Sequence, residues 1–150
     1  MNNLIYEDKS KYDAWMKYIL GGVLALTLIP GVVFLFVDVV LAWVMFGTTL
    51  FDALLFRAIL PQRLQIFEDR VKIVLGGPFS LNIPLTDIRE AHLASNSKVF
   101  VYWGVRFATS VKSIVEIVRK EGLSVVISPT NTDSFLEQLN QALEAVSSPN

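Results

Sequence analysis

The chain of 150 residues contains no cysteine. That excludes disulfide frameworks, thiol nucleophiles and thiolate metal sites, and it leaves redox chemistry silent about compartment. Histidine is nearly absent as well. His92 stands alone between Ala91 and Leu93, with no catalytic partner evident from the sequence, and reads as a structural side chain. No Walker loop and no metal-ligand cluster occurs, so no catalytic residue, metal site or cofactor is expected and the chain does not read as an enzyme. An excess of one charge is also missing: 13 basic and 14 acidic residues give a formal net charge of −1. That is not the footprint of a nucleic-acid-binding domain.

What the chain has in abundance is apolar surface. Hydrophobic residues make up 53% of it and the mean hydropathy is +0.49, more than an ordinary soluble domain carries. Residues 1–17 are polar, holding Glu7, Asp8 and Asp13 beside Lys9, Lys11 and Lys17. A cleavable signal peptide does not begin this way. From Tyr18 to Leu60 the sequence then stays apolar, interrupted among charged side chains only by Asp38, Asp52 and Arg57. A bilayer core of about 30 Å is crossed by about 20 helical residues, so this stretch predicts two spans with a turn near 37–39. A turn at Pro30-Gly31 would leave the first span too short, so Pro30 is expected inside helix one. Lys9, Lys11 and Lys17 precede the hairpin, Arg57, Arg63, Arg70 and Lys72 follow it, and its apex has no cation. This predicts a multi-pass protein of the inner (cytoplasmic) membrane with both termini cytoplasmic. Tyr12, Trp15 and Tyr18 fall where helix one meets the inner headgroups, and Trp43 near the outer turn, as interfacial anchors would.

Asp52 falls roughly nine residues inside the cytoplasmic end of helix two, about 13 Å deep, where an ionised carboxylate is expensive. It reads either as an intramembrane polar site, paired with Arg57 or with another copy, or as a neutral or water-reached side chain. Arg57 reads as a snorkelling interface residue.

After Pro61 the pattern changes to short β-branched and aromatic runs broken by turn formers. Seven strands are expected: 63–67, 71–75, 79–84, 88–94, 99–107, 113–119 and 123–128. Glu68-Asp69, Gly76-Gly77-Pro78 and Glu121-Gly122 supply hairpin turns, which predicts an antiparallel meander. Gly76-Gly77-Pro78 is not a phosphate loop, because it joins strands and opens no helix. Phe100, Tyr102, Trp103 and Phe107 form either half the core or an exposed binding surface. Phe135, Leu136, Leu139, Ala142, Leu143 and Val146 recur at helical spacing; Thr130 or Thr132 would cap that helix, and 147–150 form a frayed tail.

Several of these segments together resemble the bacterial PH-like domain membrane proteins, in which a transmembrane hairpin precedes the domain. The marks are Leu60-Pro61-Gln62-Arg63, Ile66-Phe67-Glu68-Asp69-Arg70, Gly76-Gly77-Pro78-Phe79, Ile83-Pro84-Leu85, Gly104-Val105-Arg106-Phe107 and Val125-Val126-Ile127-Ser128-Pro129. The resemblance implies an N-terminal transmembrane α-helical hairpin, then a mainly β PH-like barrel over 61–146 closed by a C-terminal α-helix. It also implies a non-enzymatic, membrane-anchored interaction or assembly module whose partners are membrane lipid and a protein partner or a homo-oligomer. The alternative is a small oligomeric transport or channel component that uses Asp52. Candidate lipid or partner contacts are Arg63, Arg70, Lys72, Arg106, Lys112, Arg119 and Lys120, gathered on one basic surface or scattered. Phosphoinositide is not expected at the first hairpin, whose Glu68-Asp69-Arg70 turn presents two carboxylates to an anionic headgroup.

Overall fold

A computed structural model of the chain describes residues 3–94, 105–110 and 113–147. Lys112, the aromatic residues Phe100, Tyr102 and Trp103 with the first part of the 99–107 strand, and Ser148–Asn150 lie outside the described residues. So does the side chain of Arg106.

Two apolar helices dominate the first part of the chain: α1 (Ala14–Phe34) and α2 (Val39–Ile59), each of 21 residues. Each is long and apolar enough to cross a membrane. They run antiparallel in close contact, the missing side chain of Gly31 admitting Met45 and Phe46 while Thr49 Oγ1 donates to Thr27 Oγ1 at 2.8 Å. Pro30 lies inside α1, which nonetheless continues to Phe34. Between the helices, Asp38 caps α2 by accepting from the amides of Val40 (2.9 Å) and Leu41 (3.2 Å), satisfying two of the amides that every helix N-terminus leaves unpaired.

The β domain is two four-stranded sheets facing each other. The first holds β1 (Leu4–Lys9), β2 (Pro61–Phe67), β3 (Arg70–Leu75) and β4 (Ser80–Pro84), in that order and all antiparallel. A single 3₁₀ turn over Leu85–Asp87 then leads to the second sheet, made of β5 (Ile88–Leu93), β6 (Val105–Phe107), β7 (Val115–Arg119) and β8 (Val125–Ile127). Its spatial order is β5-β7-β8-β6. The helix α3 (Thr132–Ser147) closes the core. This is the PH-like layout that the strand pattern and C-terminal helix predict. Alternation explains which side chains enter: Leu64 and Ile66, Val71 and Ile73, Val115 and Ile117, and Val125 and Ile127 are all fully buried, and α3 adds Phe135 and Leu139. Each such side chain stabilises the fold by about 1.5–3 kcal/mol relative to exposure.

Three features differ from the sequence expectation. There are eight strands among the described residues, because Leu4–Lys9 forms an edge strand on β2, with Lys9 opposite Arg63 and Leu4 opposite Phe67. The second sheet is not a meander: β5 pairs directly with β7, and β6 runs parallel to β8 at the sheet edge. A three-residue strand is too short for its hydrophobic pattern to fix a partner, so that register was invisible in the sequence. The α3 cap is neither Thr130 nor Thr132. Asn131 Oδ1 accepts from Ser134 N at 3.3 Å, while Thr130 Oγ1 donates to the Lys9 carbonyl at 2.8 Å.

Candidate functional site

The two apolar helices are inserted between β1 and β2, which are themselves neighbours in one sheet. In effect α1 and α2 are the loop of a β-hairpin. Where the chain leaves β1 it does not hang free. Ser10 N donates to Gln62 O (3.1 Å), Lys11 N to Ser128 O (2.8 Å) and Asp13 N to Thr109 O (3.1 Å). Thr109 Oγ1 returns a bond to the Lys11 carbonyl at 2.5 Å, and Thr130 N donates to the Lys9 carbonyl at 3.0 Å. Residues 9–13 therefore form a seam that joins the first sheet to the ends of β6 and β8. Tyr12 lies in this seam, its hydroxyl donating to the Pro61 carbonyl, and burial pushes its phenol pKa above the ordinary value.

This arrangement gives the barrel two rims. The helix-side rim collects the seam, Pro61 and the β3–β4 turn. The far rim lies about 20 Å away along the seven residues of β2. It collects the β2–β3 turn, the 3₁₀ turn and the β7–β8 turn, where Gly122 takes a left-handed φ of 87°. The far rim is a network of opposed charges. Arg119 donates from Nε to Asp87 Oδ2 at 2.7 Å and from Nη2 at 2.6 Å, Glu121 N donates to Asp87 Oδ1 at 3.2 Å, and Lys120 Nζ donates to the Thr86 carbonyl at 2.8 Å. The hydrogen-bonded Arg119 guanidinium, helped by the Glu121 amide and the nearby Lys120 charge, holds the Asp87 carboxyl below the usual carboxylate range against the opposing effect of burial. Leu85 N bonds Asp69 O at 2.9 Å, tying the first hairpin turn into the same rim.

Of the candidate basic residues whose side chains are described, Arg63, Arg70 and Lys72 alternate with buried Leu64, Val71 and Ile73 and so lie on the outward face of the first sheet, while Arg119 and Lys120 lie at the far rim. Arg63, near the helix-side rim, pairs with Glu7 across the β1–β2 ladder at 3.4 Å. Lys72 sits mid-strand between Gln65 and Asn82. Arg70 is at the far rim, 3.3 Å from Asp69 and with its guanidinium 5.8 Å from the centre of the Phe67 ring. Arg119 and Lys120 are at that rim too, already bonded as described. Within α2, Asp52 is half-buried and Arg57 exposed. Five positions apart on a helix put them roughly 140° apart in projection, and no ion pair joins them among the described residues. His92 Nε2 lies 3.4 Å from Glu116 Oε2 across the β5–β7 ladder. Among the described residues no group of three or more metal-ligating side chains is assembled.

Sequence reasoning missed the seam formed by Ser10 to Asp13 with Thr109, Ser128 and Thr130, having read Tyr12 as an interfacial anchor and Thr130 as a helix cap. They act mainly through backbone groups, which leave no trace in residue type.

Two facing sheets, the second turning onto a C-terminal helix that plugs the core, define a PH-like barrel. The family model of the bacterial PH domain matches residues 63–142, more than half of the chain, and the protein belongs to that family. The match covers β2 to β8 and most of α3, leaving β1 and both apolar helices outside it. No curated protein and no solved structure gave a match to the chain.

Proposed function

We propose that this bacterial PH domain is a membrane-anchored, non-enzymatic interaction module, held by α1 and α2 at the cytoplasmic face of the inner membrane. The observation that carries the reading is the insertion of both helices between hydrogen-bonded neighbours of one sheet, which ties both ends of the anchor to the domain. Support for lipid around the helices comes from their exposed apolar side chains, with Leu26 75%, Ile29 63%, Val40 70% and Trp43 68% exposed. Soluble proteins do not leave such a surface uncovered. The cations on both sides of the hairpin and their absence from its apex support cytoplasmic termini.

Anchoring raises the local concentration of the domain for anything else at that surface, which suits a binding module better than affinity alone would. The far rim, directed away from the helix ends, is the surface offered to a protein partner. A polyphosphorylated headgroup is not its ligand, since Arg70, Arg119 and Lys120 are engaged by Asp69, Asp87 and the Thr86 carbonyl. Crosslinking of the intact chain in native membranes, followed by mass spectrometry, tests the proposal. A protein recovered reproducibly, and lost when exposed far-rim residues such as Glu68 and Lys120 are substituted, is the expected result. Repeated recovery of the chain alone would refute it.

A further inference from the structure

The turn between β3 and β4 carries an aromatic ring that the barrel does not use. On β4 the core-facing positions alternate: Ile83 is buried, Leu81 packs half-buried against the core, and Phe79, next in the same series, is 60% exposed. Leu75 N donates to the Phe79 carbonyl at 3.1 Å, so the ladder register persists to this point and the ring overruns the rim by one step. Nothing charged lies in Gly76-Gly77-Pro78-Phe79.

The same turn is held against the end of α2. Gly76 N donates to the Leu60 carbonyl at 3.0 Å. A side-chain carbon on Gly76 would fall 1.8 Å from the Arg57 carbonyl oxygen, and one on Gly77 would fall 3.2 Å from Ala58 Cβ. Ala58 is the last residue but one of a 21-residue helix. At 1.5 Å per residue that helix measures about 31 Å, the thickness of a hydrocarbon core with almost nothing to spare. When α2 spans the bilayer, Ala58 therefore lies at the hydrocarbon boundary and the turn packed on it lies among the headgroups. The exposed side chains of Arg57 on α2 and Lys17 on α1 offer cations at the same level.

Resting on the membrane-anchored reading above, we infer that Phe79 inserts into the headgroup–acyl boundary of the same bilayer, making the β3–β4 turn a third membrane contact beside the two helices. Apolar rings on a protein surface are stabilised at that depth by burial of their area. The consequence is orientational. Two adjacent helices can tilt in the bilayer together with the domain bonded to their ends, whereas a third contact to one side of the pair resists that tilt and keeps the far rim turned to the cytoplasm.

The absence of cysteine allows a direct test in the full chain. The variants Phe79→Cys, Leu26→Cys and Leu123→Cys would each be labelled with an environment-sensitive fluorophore. They would be reconstituted into phosphatidylcholine–phosphatidylglycerol vesicles with or without acyl-chain spin-labelled lipid. Leu26 lies mid-way along α1, and Leu123 is 54% exposed beside the β7–β8 turn of the far rim. Expected are blue-shifted, lipid-quenched emission at positions 26 and 79 and red, unquenched emission at position 123. Quenching at 26 but not at 79 overturns this inference and leaves the anchor standing; no quenching at 26 overturns both. Equal quenching at 79 and 123 would also overturn it, because the domain would then have no fixed orientation.

Discussion

Gly76 is the residue where helix and barrel come closest, and its requirement is spatial: the Arg57 carbonyl occupies the place of any side chain. A methyl group there must push the β3–β4 turn off the end of α2. Overpacking of this kind costs about 1–3 kcal/mol, so Gly76→Ala should lower the thermal midpoint of the detergent-solubilised protein measurably by circular dichroism. Gly21→Ala provides the contrast, since nothing lies within 4 Å of that position in α1. Replacing an unencumbered helical glycine should be neutral or stabilising by up to about 1 kcal/mol. Asp87 gives a prediction of a different kind. Its carboxyl titrates below the ordinary value because Arg119 holds the charged form. The folded state therefore binds its proton less readily than the unfolded chain, and the associated stability is fully present above the unfolded pKa of about 3.9. It is lost as pH falls through the still lower folded value. Denaturation midpoints measured from pH 7 down to pH 2 should fall more steeply below about pH 4 for the native chain than for Asp87→Asn.

Among the elements, α2 depends on a cap at the turn that the sequence placed near 37–39, although the capping role of Asp38 itself emerged only from the structure. Asp38→Ala removes the acceptor for two helix amides and should destabilise the hairpin by about 1 kcal/mol, read as a lower midpoint in detergent unfolding followed by helical ellipticity. The strands after Pro61 were legible because each pairs a periodic apolar face with a turn former, as Val71 and Ile73 do before Gly76-Gly77. The helix α3 was legible by the same reasoning at a period of 3.6. What escaped was whatever depends on distant partners. In β1 the two half-buried positions are Tyr6 and Asp8, one aromatic and one acidic, so burial alternates where hydropathy does not, and its partner β2 lies beyond both apolar helices. The seam of residues 9–13 is written in backbone bonds, and the parallel β6–β8 pair rests on three residues. Of the candidate contacts, the sequence could not show that Arg63, Arg119 and Lys120 already have partners within the chain. Those pairings join residues more than thirty positions apart, whereas Arg70 meets its own neighbour Asp69.

At the scale of the whole molecule, the helical hairpin replaces the turn of a β-hairpin, and this makes folding of the barrel separable from its anchor. β1 contributes the Tyr6 ring, which meets Phe135 edge-on with centroids 6.3 Å apart, and it covers the outer edge of β2. The matched family segment begins only at Arg63, so a domain cut to that boundary would lack both contributions and expose an unpaired strand edge. The ends of the hairpin meet where Tyr12 reaches the Pro61 carbonyl, a gap that a loop of about six residues spans easily. A chain in which 14–60 are replaced by such a glycine- and asparagine-rich loop should therefore be soluble, keep its β-sheet ellipticity and unfold cooperatively. A chain that starts at Gln62 should unfold at a lower temperature or aggregate, since it loses about 1 kcal/mol or more with the half-buried Tyr6 ring alone and every backbone bond of the seam besides. Equal midpoints for the two would mean that β1 is an ornament on a self-sufficient barrel. A clear difference would mean that this PH domain is completed by chain lying on the other side of its own anchor.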